Sequence, residues 1–124
     1  MGARDLTPPG WPPEVLPPQA PDWERSAVGW LFDLCPADYR AHEVLRRHPV
    51  VLARFAAGHV GSAVEAARHG IRTARAELSR VVPPEVVDAA IAAYEREGRR
   101  LLVIGKQVAL VDAALRGERH VPRL

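Results

Sequence analysis

Asparagine is absent from this 124-residue chain, cysteine occurs once, and lysine is represented only by Lys106. The lone Cys35 rules out an intramolecular disulfide and the multi-cysteine zinc patterns, so a reducing cytoplasm is the expected compartment. Serine and threonine number only three and two, none of them in a GxSxG elbow, and neither a GxGxxG turn nor a Walker loop occurs. The longest strongly apolar run, Leu101 to Ile104, stops at Gly105-Lys106, far short of the roughly 20 residues that span a bilayer. Met1 to Leu6 leads into prolines with no apolar stretch of signal-peptide kind behind it. A cytoplasmic chain without a membrane span is therefore expected.

What is abundant is proline at the front and alanine behind it. Seven of the twelve prolines lie in the first 21 residues, which excludes helix there and predicts an extended, polyproline-like arm over 1–21. Trp11, Val15 and Leu16 are interleaved with them and predict docking onto the helices that follow; a ligand for a partner's aromatic groove is the alternative. Asp22 is placed to cap a helix starting at Trp23, with Glu24 in its first turn. Trp23, Ala27, Trp30, Leu31 and Leu34 recur at spacings of one, three and four residues and give that helix one face for burial. Trp11, Trp23 and Trp30 are the expected anchors between arm and front helix.

Two long amphipathic patterns then meet at Val81-Val82-Pro83-Pro84. Proline breaks a helix interior but suits its first turn, so Pro84 predicts a new helix and a fold-back. Gly117 suits a helix C-terminus. The predicted helices run over about 23–34, 37–47, 49–80 and 84–116, within a helical domain of 22–117 and before a tail of 118–124. Glycines in helix interiors cost about 1 kcal/mol each relative to alanine. Gly58, Gly61, Gly98 and Gly105 are therefore assigned to a seam of small residues, with Gly105 opposite Val60 and Gly61, and Gly98 opposite Ala67. Apolar residues on other faces, among them Phe55, Val64, Val86, Leu102, Val103, Ile104 and Leu110, need a further cover, supplied by the front of the chain and by a second copy.

Candidate chemistry is sparse. No histidine pair has the spacing of a helical metal site, so no metal or other cofactor is expected; Glu65 and His69, four apart, can touch, and His59 falls near the seam. Cys35, between Leu34 and Pro36, reads as a small buried apolar residue, and no catalytic residue is assigned. Arg68, Arg72 and Arg75 fall at i, i+4 and i+7 on one basic face, with Arg46 or Arg47 expected nearby. That face could contact phosphates or a partner. With a net charge of only +2 and no recognition-helix pattern, nucleic acid is the lesser alternative. A small-molecule or metal binder would need a polar cavity near His59 and Tyr94.

Trp11-Pro12-Pro13-Glu14, Pro21-Asp22-Trp23-Glu24, Leu34-Cys35-Pro36-Ala37-Asp38-Tyr39-Arg40, Leu45-Arg46-Arg47-His48-Pro49, Val82-Pro83-Pro84-Glu85-Val86-Val87 and Tyr94-Glu95-Arg96-Glu97-Gly98 together resemble a small family of uncharacterised all-helical proteins of high-GC bacteria. That family has no assigned activity, so the resemblance implies no function. The hairpin is also similar to small helical proteins exported by specialised bacterial secretion systems, but their Trp-x-Gly turn is missing here. The expectation is an all-α fold: a long antiparallel helical hairpin with one or two short N-terminal helices and a Pro-rich arm, in a four-helix arrangement as a homodimer. Its expected role is a non-enzymatic interaction or scaffold protein with an unidentified protein partner.

Overall fold

The computed structural model describes residues 7–119 and Val121. Expectations that fall on residues 1–6, on His120 and on 122–124 lie outside the described residues. Every regular element among the described residues is helical: α1 (Trp23–Leu34), a 3-10 turn (Ala37–Ala41), α2 (Glu43–Arg47), α3 (Pro49–Leu78) and α4 (Pro84–Leu115). Helices α3 and α4 pack as an antiparallel hairpin. Pro83 N-caps α4: its carbonyl accepts the amides of Val86 at 3.0 Å and Val87 at 3.2 Å, while Pro84 occupies the first helical position, where no amide is needed. At the far end Gly117 takes φ 88° and donates to the Ala114 carbonyl, and Glu118 donates to that of Ala113. This is the paired C-terminal bonding that a left-handed glycine permits.

The front of the chain differs from expectation in three ways. The arm is not extended polyproline but a series of tight turns, closed by amides of Trp11 on Pro8, Val15 on Pro12, Ala20 on Pro17 and Trp23 on Ala20, all at 3.0 to 3.1 Å. Each turn has a proline second, at Pro9, Pro13, Pro18 and Pro21, where its fixed φ is already right. In three of them the third residue has positive φ: Gly10, Gln19 and Asp22. Asp22 is thus the third residue of a turn, held at φ 63°, and its carboxylate makes no cap hydrogen bond to α1. An N-cap needs extended backbone, which the turn denies it. Finally, the helix expected over 37–47 breaks at His42, whose φ of −82° and ψ of 108° are extended. In one unbroken helix residues 39 and 45 would point about 120° apart. The break lets Tyr39 pack edge-on against Phe55, with ring centroids 5.9 Å apart, while Leu45 is fully buried.

The chain divides into two compact units, with α3 and α4 passing through both. One contains the described residues up to Gly58 and those from Lys106 onward. Its core is built from Ala27, Leu31, Leu45, Leu52, Ala53, Ala56, Val108 and Val111, with Pro12 and Val15 of the arm buried as well. Burying a leucine or valine side chain contributes roughly 1.5 to 3 kcal/mol. The arm is docked by polar contacts too. The Trp11 indole donates to the carbonyls of Val15 at 3.0 Å and Leu16 at 3.2 Å, and its ring lies 6.1 Å from that of Trp23. The Leu16 amide donates to Ser26 Oγ at 3.0 Å, and the Trp30 indole to Glu14 at 3.3 Å.

The other unit, His59–Gly105, is the closed end of the hairpin, and its buried residues are few and mostly small: Val60, Val64, Ala67, Gly70, Ala74, Val87 and Leu101. The expected register holds for two glycines, since a Cβ on Gly98 would lie 3.7 Å from Ala67 Cβ and one on Gly105 would lie 3.8 Å from a Val60 methyl. Gly61 does not belong to the seam, and neither does Gly58 of the first unit: both are exposed, with nothing within 4 Å of where a Cβ would stand. The tightest position is instead Gly70, which is buried beneath the Tyr94 ring; a Cβ there would overlap the ring carbons.

These placements give opposite signs for one substitution. Gly61→Ala should stabilise the protein by about 0.5 to 1 kcal/mol through helix propensity. Gly70→Ala must displace Tyr94 and should destabilise it by about 1 to 2 kcal/mol, both read by urea unfolding. Trp11→Ala should free the arm, seen as faster protease cleavage within residues 7–21 while the helical circular dichroism is kept.

Candidate interaction surface

Two helices have only one mutual face, so the closed unit leaves large apolar side chains in water. Ile71, Val81, Val86, Tyr94, Leu102 and Val103 are exposed, from 37% at Ile71 to 71% at Val81. Three of them, Ile71, Leu102 and Tyr94, line two open grooves beside the seam. One, of about 200 Å³, has a floor of Val64, Ala67 and Gly98 between Ile71 and Leu102, and a rim of Arg68, Glu95 and Arg99. The other, of about 350 Å³, is lined by Leu78, Ala90, Ala93, Tyr94 and Glu97. Glu97 is held by Arg100 through hydrogen bonds of 3.0 and 2.5 Å, which keep its carboxyl below the usual carboxylate range.

The arginine face does not gather into an anion site. Arg68 pairs with Glu65 at 2.6 Å and Arg75 reaches across the hairpin to Asp88 at 3.0 Å, so two of the three guanidinium groups already face a carboxylate. Only Arg72, exposed, has no ion pair among the described residues. Glu65 is taken by Arg68 rather than by His69, whose backbone carbonyl accepts the Thr73 hydroxyl at 2.8 Å. Within the first unit Arg47 pairs with Glu43 at 2.7 Å, and Arg46 donates to the Arg40 carbonyl at 2.6 Å. Arg40 itself binds Asp33 at 2.7 Å and lies over the Phe32 ring.

His59 is half-buried and does not line the groove beside Tyr94. Tyr94 sits over Gly70, eleven residues along α3 from His59, or about 16 Å of helix, so the two do not share a cavity. No group of three or more His, Cys, Asp or Glu side chains converges among the described residues, and no helix there is long and apolar enough to cross a membrane. In the first unit a further groove of about 180 Å³ lies between the arm at Pro8, Pro18 and Gln19 and the α4 residues Leu110, Ala113 and Ala114.

Gly70 and Glu95 are the positions that pattern reading passed over. Gly70 falls on the buried side of α3, a signal available from the same periodicity that picked out Gly98. Glu95 becomes notable only when the α3 contribution to its groove is known. No family model, curated protein or solved structure matches the chain.

Cys35 is half-buried, and burial pushes its thiol above the ordinary value of 9.0 despite the opposing charge of Arg40. The thiolate is the reactive form, so at pH 7 less than about 1% of the side chain is nucleophilic. Cys35 should react with a disulfide reagent more slowly than a free thiol at pH 7, with the rate still rising above pH 9; a plateau below pH 8 would contradict the assignment.

Proposed function

We propose that this protein is a non-enzymatic helical interaction module of the cytoplasm that self-associates and presents the closed half of its hairpin to another protein surface. The observation that carries this is the contrast between a seam of small residues and the exposed Ile71, Tyr94, Leu102 and Val103 beside it. A lone pair of helices with that much apolar surface gains by covering it. The carboxylate partners of Arg68 and Arg75 favour a protein surface over a phosphate backbone as the ligand of this half. A protonated, half-buried Cys35 accords with a structural role in a reducing compartment.

The absolute mass of the full chain by light scattering, across a concentration series at low and high salt, tests this. A dimer that persists at high salt is the expected result, because apolar burial is not screened. A monomer of 13.6 kDa at every concentration would overturn the self-associating role.

A further inference from the structure

The groove over Gly98 is shaped and charged to receive a copy of itself. Its centre is shallow because Gly98 faces Ala67, with no side chain larger than a methyl between the two backbones. One turn further along α4 stands Leu102, 47% exposed, and across the groove stands Ile71. A hollow and a knob on the same face become mutually complementary under a two-fold axis. The rim adds a direction. Glu95 and Arg99 are one turn apart, opposite in charge and exposed, and neither has an ion pair among the described residues.

We infer that this groove is occupied by the same groove of a second copy of the chain, with the two α4 helices antiparallel, so that Glu95 of each copy meets Arg99 of the other. The proposal rests on the self-association argued above and names its surface and its orientation. With the axis midway between the levels of Gly98 and Arg99, Arg99 of one copy and Glu95 of the other are offset by about three residues, or ~4.5 Å along the helix, within the reach of an extended arginine. Leu102 of each then lies on the Glu95–Gly98 turn of the other. A parallel pairing would set Glu95 against Glu95 and Arg99 against Arg99, so the rim charges select the antiparallel form while apolar contact supplies the affinity. Arg68 does not disturb this pattern because Glu65 neutralises it. The groove on the opposite flank offers no such exchange, since its one charged group, Glu97, is engaged by Arg100 of its own helix.

The test is the dimer dissociation constant of the full chain by sedimentation equilibrium, with thermal unfolding as a check that each variant keeps its helices. Glu95→Arg and Arg99→Glu should each weaken the dimer about tenfold. The double exchange Glu95→Arg with Arg99→Glu restores both pairs and should return the constant to within about threefold of the original, a rescue that no loss of folding mimics. Leu102→Ala should weaken it about tenfold without touching a charge. A dimer indifferent to all four variants overturns this face and leaves self-association standing through another. A single reversal that weakens the dimer without rescue in the double variant overturns the antiparallel pairing, and a chain that never dimerises overturns the self-association itself.

Discussion

The turn at Pro83-Pro84 fixes the register on which the closed half of the molecule depends. The Pro83 carbonyl takes the first two amides of α4 that can reach it, and Pro84 starts the helix with no amide to satisfy, so the chain can reverse at one place only. From there the pairing of Ala67 with Gly98 and of Val60 with Gly105 follows as a matter of counting along two helices. A shift by one residue would turn Leu101 and Val87 out of the seam, and both are buried.

That register has a cost in core size. Residues small enough for close approach bury little area, so the closed half relies on Val60, Val64, Val87 and Leu101, with Ala63 and Ile104 packed at the edge. Its remaining large apolar side chains face water, with Ile71, Leu102 and Tyr94 lining two grooves. The other unit solves the same problem within one chain. There the arm and α1 bring Trp30, Pro12, Val15 and Leu31 to the core with Trp11 and Trp23 half-buried, and the polar atoms exposed by turning so often are met by indole and hydroxyl groups. The uncovered half is where association has most to gain, which is why the self-complementary rim of Glu95 and Arg99 matters there.

Much of the architecture was legible because helical periodicity and proline placement are local signals. Trp23–Leu34 begins and ends where expected, α3 starts at Pro49, and α4 starts at Pro84. The arm was legible as non-helical and docked but not as turns, since proline suits polyproline geometry and the second position of a turn equally. The residue after each proline decides between them, and the positive φ of Gly10, Gln19 and Asp22 settles it for three of the four turns. The candidate surface was harder. Gly58 and Gly61 share a spacing with the seam glycines but point into solvent, because spacing gives a residue's angle around the helix only to within a neighbouring position.

The sequence by itself determined α1 and the two long helices, the point of reversal and the register of Gly98 and Gly105, because each follows from proline chemistry and a repeat of about 3.6 residues within one segment. Only the tertiary structure decided which guanidinium groups remain free, that Tyr94 lies over Gly70, and that Glu95 and Arg99 flank a hollow floored from α3. Those facts depend on distances between residues remote in the chain, which no local pattern encodes.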